Sequence, residues 1–242
     1  MREIGRVVEV WRYPVSSVGG ETLSSVGVSS AGIAGDRRFG LFDCATGRPA
    51  APEQEPRWRP ALHLSATQPD NGFPSIRFPD EGCLPVDDPL LAGRLTAHFG
   101  FEADVAAHMA MAGSRFSVIP GRYSLAPLHL VTTASLRALA RLGGLAAVDS
   151  RRFRPSVLID TDAEGFVEND WLGTTLTIGA VAVAVSERTR RCGMTLIAQP
   201  GLDEEPEVLR GVMRHNGRSL GVYAAPLASG VLAVGDRVYA GA

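Results

Sequence analysis

The chain of 242 residues contains few cysteines, and their scarcity excludes several classes of protein. The three that are present, Cys44, Cys83 and Cys192, stand far apart in the sequence, so they match neither a disulfide framework nor a zinc-binding motif. A plant-type iron–sulfur cluster is also excluded, because it needs one more thiolate than this chain can supply.

Excess charge, metal-binding histidine motifs and long apolar runs are also missing. The formal net charge of -2 gives no electrostatic basis for general nucleic-acid binding. The five histidines show no metal-ligand spacing. No apolar run approaches the ~18 residues of a membrane span, and the first residues lack the basic start and apolar core of a signal peptide. We expect a soluble cytoplasmic protein that binds neither nucleic acid nor membranes.

Glycine and proline are plentiful, and their spacing predicts the fold class. The 27 glycines and 16 prolines are spread along the chain, which indicates short strands separated by frequent turns. We predict a mainly β protein with a few helices, of the α+β class. Helices are predicted at 89–99, 134–142 and 205–213. Strands are predicted at 4–13, 26–33, 39–42, 62–66, 75–78, 102–108, 128–131, 156–160, 220–223, 231–234 and 238–239, and residues 176–185 are predicted to form two paired strands split by Gly179.

A change in composition divides the chain into two parts. Residues 109–123 show no clear period and are predicted to form a linker. Before it, residues 1–108 are predicted to form a β-rich domain, and after it, residues 124–242 are predicted to form a β-barrel domain. The sequence therefore predicts two units, with a cleft where they meet.

One cysteine, Cys192, has cationic neighbours that would favour a reactive thiolate. Arg188, Arg190 and Arg191 come just before Cys192, which follows a strand-like apolar run at 176–185. Neighbouring cations favour thiolate over thiol, and the thiolate is both the nucleophile and the metal ligand. The same pattern also suits an ordinary half-buried cysteine beside a solvated basic loop. Local sequence leaves both interpretations open.

Several motifs, in a consistent order, resemble the MOSC family. In the second half these are Phe153-Arg154-Pro155, Phe166 to Trp171 with Glu168 between them, Ile178-Gly179, Arg191-Cys192 followed by Met194-Thr195, Pro206 with Leu209, Leu220 to Tyr223, and Gly235-Asp236. The first half resembles the β-rich domain that precedes MOSC in the branch of the mitochondrial amidoxime-reducing component and its bacterial relatives. Its motifs are Tyr13-Pro14-Val15 with Ser17, Asp36-Arg37, and Gln54-Glu55-Pro56.

The resemblance implies a cofactor, a metal ligand and partners. Cys192 is expected to be the catalytic residue and to ligate the molybdenum of a molybdenum-pterin cofactor. The residues expected to bind that cofactor are Arg37, Arg154, Arg191, Ser16, Ser17, Thr132 and Thr133. The implied reaction is the reduction of N-hydroxylated or related N–O or S–O compounds, with a small-molecule substrate and a separate electron-donor protein. Pyridoxal phosphate is not expected.

Three positions depart from the family pattern and keep other functions open. Ser16 stands where the family has lysine, Glu53 where it has arginine, and Ser156 where it has asparagine. The first two remove cations from the expected cofactor site, and Glu53 adds an anion. A sulfur-handling enzyme, with Cys192 as persulfide carrier or C–S cleaving nucleophile, is therefore an alternative. A module that binds a cofactor or a partner without its own reaction is another.

The arginine neighbours of Cys192 lead to a first prediction. Changing Cys44 or Cys83 to Ala should leave turnover largely intact, whereas Cys192→Ser should abolish it, because neither of the other two cysteines has cationic neighbours of this kind. Steady-state turnover of the three variants, each checked for folding by circular dichroism, tests this. A folded Cys44 or Cys83 variant without activity would contradict it.

Overall fold

A computed structural model describes residues 1–111, 113, 116–122 and 126–241. Within this part of the chain, α-helices α1 to α3 span Leu91–Phe99, Thr133–Gly143 and Pro206–His215. Strands β1 to β17 span, in order, Arg2–Arg12, Val15–Ser16, Glu21–Leu23, Ser25–Ser29, Gly32–Ile33, Phe39–Asp43, Ser65–Thr67, Ser75–Arg77, Cys83–Pro85, Ala103–Ala107, Leu128–Thr132, Val157–Asp160, Thr175–Ile178, Val181–Arg190, Ser219–Pro226, Gly230–Ala233 and Arg237–Ala240. The mainly β fold with few helices is confirmed.

The largest sheet of the described chain closes into a barrel. Its order is β12-β11-β15-β14-β13-β17-β1, and a further pairing of β1 with β12 closes the ring, while β3 extends it from β1. Closure removes the exposed sheet edges that would otherwise pair with other chains. The first strand of the chain therefore completes a barrel whose other strands come from the second half.

One strand pair of the barrel is parallel. β11 and β12 pair in parallel, and the neighbouring pairs run antiparallel. Parallel neighbours need a crossover connection, because a tight turn cannot join them. Helix α2 lies in this crossover, and it begins where the side chain of Thr132 accepts a hydrogen bond from the Ser135 backbone.

Three apolar cores hold the elements together. The barrel interior is lined by buried Val, Leu and Ile residues such as Leu130, Ile159 and Leu176. The outer face of the barrel packs against α2 and α3 through a second cluster that includes Leu139 and Val212. The third core lies in the first half, where the 3-stranded sheet β10-β6-β2, the sheet β7-β8-β9 and α1 surround Trp58, the largest fully buried side chain there.

The predicted strand at 62–66 is partly wrong. Pro56–His63 forms a 3-10 helix, and only Ser65–Thr67 is strand. A proline occupies the first turn of this helix, where the missing N–H has no helical partner to lose. The helix buries Trp58, Ala61 and Leu62.

Early strands cross the predicted division of the chain. β1 pairs with β12 and β17, and β4 pairs with β16. Strands from the predicted domain 1–108 thus join strands from the predicted domain 124–242. The division at 109–123 remains a prediction, and it does not separate the strand pairings into two independent sets.

None of the helices in the described ranges is both long and apolar enough to cross a membrane.

Barrel closure leads to a second prediction. Gly5 lies in β1, and a Cβ there would stand 2.3 Å from the carbonyl oxygen of Asp160 in β12. Gly5→Ala should therefore force β1 away from β12 and lower the free energy of unfolding by about 1–3 kcal/mol, the usual cost of overpacking. Urea denaturation measures this.

Gly27 provides the matched control, because it lies in β4 with open space where a Cβ would be placed. Gly27→Ala should change stability by no more than about 0.5 kcal/mol. Equal effects of the two substitutions would show that β1 does not close the barrel as described.

Candidate functional site

A cavity of about 790 Å³ lies where the barrel meets the core of the first half. Its charged lining consists of Arg37, Arg122, Arg154, Arg188, Arg190, Arg191 and Arg218, with Glu53 and Glu187 as the acidic members among the described residues. Seven arginines against two glutamates give the cavity a strong positive charge although the whole chain is slightly acidic. Such a cavity favours anionic ligands.

The structure places most of the predicted site residues in this cavity. Cys192, Arg191 and Arg154 enter from the second half, and Arg37, Ser16 and Ser17 enter from the first. Residues from distant parts of the chain thus converge at one junction. Their roles toward a cofactor remain predictions.

Cys192 is held at the point where the long strand β14 gives way to a short 3-10 helix. It precedes Gly193–Leu196, and its carbonyl oxygen accepts hydrogen bonds from the backbone N–H of Thr195 at 3.2 Å and from the Thr195 hydroxyl at 3.0 Å. The cysteine is half-buried and lines the cavity, so a ligand can reach its thiol. The other two cysteines are exposed.

Backbone carbonyls hold Arg191 in place. Its Nη2 donates to the Phe153 carbonyl at 2.7 Å, and its backbone N–H donates to the Arg218 carbonyl at 2.9 Å. In turn, Arg218 Nε donates a hydrogen bond to the Arg191 carbonyl oxygen at 3.0 Å. The two arginines therefore brace each other beside Cys192. Burial lowers the pKa of Arg191.

Tyr13 forms a platform for two arginines. The guanidinium carbon of Arg154 lies 4.2 Å from the centre of the Tyr13 ring, and that of Arg37 lies 4.9 Å from it. Arg37 Nη2 also donates to the Arg154 carbonyl at 3.3 Å. An aromatic ring stabilises desolvated cations in this way. Burial lowers the pKa of Arg154 to about 10 and raises that of Tyr13, so at pH 7 the guanidinium is charged and the phenol is neutral.

His129 contributes no charge to the cavity at neutral pH. It is buried in β11, and its Nδ1 lies 3.4 Å from the Arg154 carbonyl oxygen. Burial, with the nearby Arg191 charge, holds the pKa of His129 well below its usual value. A neutral imidazole is therefore packed among the arginines.

Backbone strain is concentrated at this cavity. Left-handed φ values are found at Ser17 (65°), Arg37 (47°), Arg154 (54°) and Arg218 (65°), and all four residues line it. Outside the cavity, among the described non-glycine residues, only Glu81 has a positive φ. Residues with side chains adopt this conformation at a cost, and such costs cluster at functional sites.

Three buried arginine nitrogens at the cavity could bind an anionic ligand. Nη2 of Arg154, Nε of Arg188 and Nε of Arg191 are shielded from solvent and have no hydrogen-bond partner within the described part of the protein. Buried donors are normally satisfied, so unpaired ones need an explanation. Guanidinium groups match phosphate oxygens. This donor set fits an anionic, phosphate-bearing group such as the molybdenum-pterin cofactor, with Cys192 as a soft ligand to the metal.

The acidic residue Glu53 faces the cavity, where Arg122 neutralises it. The two side chains form a double ion pair, in which Arg122 Nη1 lies 3.0 Å from one carboxylate oxygen and Nη2 contacts the other. A Cβ placed on Gly193 would lie 3.2 Å from the Glu53 Cβ, so the acidic residue packs directly beside the cysteine loop. The anion that departs from the family pattern is thus matched by a cation from residues 116–122.

The structure does not bring Thr132 and Thr133 into the cavity. The Thr132 hydroxyl donates to Glu168 at 2.9 Å and caps α2, and the Thr133 hydroxyl donates to Asp160 at 2.7 Å. Burial raises the pKa of Glu168, whose carboxylate also accepts from Ser135 at 2.6 Å. Both threonines are occupied by protein groups, so this placement gives no support to their predicted role as cofactor ligands.

Other cavity residues were not predicted from the sequence. Arg188 and Arg190 were visible as part of the arginine run, but Arg218, Arg122 and His108 carried no motif. Arg122 lies in the predicted linker, and His108 ends a predicted strand. The Ser16 hydroxyl, predicted to donate to a cofactor, instead lies 3.0 Å from His108 Nε2.

Comparison with protein families decides the classification. The profile of the MOSC domain matches residues 106–239, and that of the MOSC N-terminal beta barrel domain matches residues 4–95. The chain belongs to the MOSC family. MOSC domains occur in molybdenum-cofactor-binding and sulfurase-like proteins. A comparison with curated proteins finds no match.

Solved structures extend the likeness to the whole fold. The YUAD protein from Bacillus subtilis superposes with a TM-score of 0.53 at 11% identity, over 98% of this chain and 96% of that one. A partial likeness to YiiM from Geobacillus stearothermophilus has a TM-score of 0.38 at 18% identity, over 48% of this chain and 55% of that one. At these identities, the first comparison shows a shared fold, and the second carries no argument.

The unpaired arginine donors of this MOSC protein lead to a third prediction. Arg154→Met should weaken binding of inorganic pyrophosphate roughly tenfold or more, since a hydrogen bond to a charged group contributes about 1.5–3 kcal/mol. Glu53→Gln should strengthen binding, because it removes an anion from the cavity. Isothermal titration calorimetry measures both affinities.

The control is Arg141→Met, which changes an exposed arginine that does not line the cavity. It should leave pyrophosphate affinity unchanged. Equal losses in Arg154→Met and Arg141→Met would mean that the bound anion responds to overall charge and not to the cavity.

Proposed function

We propose that this protein is a molybdenum-pterin-dependent oxidoreductase that reduces N-hydroxylated or related N–O or S–O compounds, with Cys192 as the protein ligand to the metal. The observation that carries the proposal is the placement of one half-buried thiol in a cavity lined by arginines, several of whose buried nitrogens have no hydrogen-bond partner among the described residues. The cofactor, when bound, supplies the two-electron oxygen-atom chemistry.

The protein's contribution is to bind and orient. Arg154 and Arg191 offer donors to an anionic group, and the Tyr13 platform and the Phe153 carbonyl fix where those donors point. Cys192 offers a thiolate, a ligand type that suits soft metals. Among the described residues no group of three or more His, Cys, Asp or Glu could hold a metal ion, so a metal here would need most of its ligands from its own cofactor.

Charge in the cavity also bears on the substrate. At pH 7 its arginines exceed its glutamates, and low dielectric surroundings strengthen their field. Neutral or anionic N–O and S–O compounds therefore suit the cavity better than cationic ones. A cationic amidine product would be repelled by the same field, which favours its release.

A second candidate uses Cys192 for sulfur chemistry without molybdenum, as a persulfide carrier or C–S cleaving nucleophile. The observation in its favour is the contact of Glu53 with the cysteine loop, together with Ser16 in place of a family lysine. Both lower the positive charge of the cavity relative to the family pattern. An anionic persulfide is smaller than the pterin cofactor and would need fewer cationic donors.

The proposal leads to a fourth prediction, on metal content and electron supply. Protein expressed in a host that makes the cofactor should contain molybdenum and pterin, and Cys192→Ser should lose the molybdenum. Because the chain contains neither a cysteine set for an iron–sulfur cluster nor a nucleotide-binding glycine signature, it should be inert with NADPH alone and turn over an N-hydroxylated substrate with reduced viologen.

Elemental analysis and anaerobic oxidation of reduced viologen measure these outcomes. Cys44→Ser, which changes an exposed thiol, is the control and should retain the molybdenum. Steady turnover with NADPH and no added protein would contradict the prediction that a separate electron-donor protein is needed. If the purified protein contains no molybdenum but transfers sulfur, and Cys192→Ser abolishes that transfer, the second candidate is supported.

A further inference from the structure

A serine and a histidine form a hydrogen-bonded pair in the cavity, and both are distant in sequence from Cys192. Ser16 Oγ lies 3.0 Å from His108 Nε2, and His108 Nδ1 lies 3.2 Å from the carbonyl oxygen of Ile119. A carbonyl oxygen only accepts, so Nδ1 carries the hydrogen. In the neutral imidazole, Nε2 is then an acceptor, and the Ser16 hydroxyl donates to it.

The backbone holds both members of the pair. Ser16 lies in β2, which pairs in parallel with β6, and His108 follows β10, which pairs with β6 on its other side. The His108 backbone N–H donates to the Arg38 carbonyl at 2.9 Å. The imidazole packs over Gly40 of β6, where a Cβ would lie 2.8 Å from Nε2 and 2.7 Å from Cε1. The absence of a side chain at this position makes room for the ring.

Residues 116–122 supply the third member, the carbonyl group of Ile119. The Ile119 N–H donates to the Ala107 carbonyl at 3.0 Å, and the Ala107 N–H donates to the Ser117 carbonyl at 2.9 Å. These bonds place the Ile119 carbonyl against the imidazole. A group that orients the histidine, a histidine that accepts from a hydroxyl, and the hydroxyl itself form the arrangement that activates a serine nucleophile.

Access and charge indicate what could react there. Ser16 and His108 are both half-buried, and both line the arginine-rich cavity. A small ester can therefore reach the hydroxyl, and the surrounding arginines favour an ester that carries an anionic group. The same positive charge favours the oxyanion that forms when a hydroxyl attacks a carbonyl.

We infer that Ser16 and His108 form a second reactive centre, which cleaves small carboxylic esters bearing an anionic group. Ser16 Oγ attacks the ester carbonyl, and its proton passes to His108 Nε2. The bond from the carbonyl carbon to the alcohol oxygen then breaks, and the departing alcohol takes that proton. Water, deprotonated by the same imidazole, then attacks the acyl carbon. The bond from that carbon to Ser16 Oγ breaks, the imidazolium returns its proton to Oγ, and the carboxylic acid leaves and ionises to the carboxylate.

The test uses metal-free protein, so its outcome is separate from that of the proposed redox function. The probe is a fluorophosphonate, which phosphonylates activated serines, and peptide mass spectrometry locates the adduct. We expect one adduct, on Ser16, with no adduct in Ser16→Ala. His108→Gln should slow its formation roughly 100-fold, as expected when a general base is removed. Hydrolysis of 4-nitrophenyl hemisuccinate should fall in parallel and should exceed that of 4-nitrophenyl acetate.

Ser75→Ala is the matched control, because Ser75 is a half-buried strand serine that does not line the cavity. Ser75→Ala should react with the fluorophosphonate and hydrolyse 4-nitrophenyl hemisuccinate at the same rates as the unaltered protein. Circular dichroism checks each variant, and if Ser16→Ala does not fold, the adduct position in the unaltered protein decides. Labelling elsewhere than Ser16, no labelling at all, or an unchanged rate in His108→Gln would overturn the inference.

Discussion

The candidate site depends on the short connection between β1, which closes the barrel, and β2, which lies in the core of the first half. β1 closes the barrel by pairing with β12 and β17, and after Tyr13 and Pro14 the same stretch enters the other core as β2. Tyr13 therefore stands between the cores, where its ring supports Arg37 from one half and Arg154 from the other. Because the connection is so short, the barrel cannot shift relative to the other core without disturbing this stack.

Desolvation is the main cost of this arrangement. Burying cations is unfavourable unless they find partners, and here the partners are carbonyl oxygens, an aromatic ring and a few acids. Arg191 donates to Phe153, and Arg122 pairs with Glu53. The buried arginine nitrogens that have no partner in the described part of the chain are the places where an anionic ligand would replace the lost hydration. The left-handed backbone at Arg37, Arg154 and Arg218 adds to this cost, and such costs cluster at functional sites.

Charge at the cysteine loop is rearranged relative to the family pattern. The sequence shows Glu53 where the family has arginine, which alone suggests a loss of positive charge. The structure shows that Arg122 stands against Glu53, so the local charge is balanced. Ser16 is different, because its hydroxyl contacts His108. The two departures therefore have different consequences, one compensated and one that creates a new contact.

The sequence by itself determined the fold class and most of the elements, and it singled out Cys192 as the cysteine beside the arginines. Periodicity and turn residues are local signals, so they identified β11, α2 and β14, and the motifs around Arg154 and Cys192 identified the family. Only the tertiary structure decided which side chains meet. It brought Arg218 and His108 into the cavity although neither stands in a motif, and it kept Thr132 outside, where Glu168 occupies its hydroxyl. Contacts between residues far apart in the chain depend on strand pairing and closure, which no local pattern encodes.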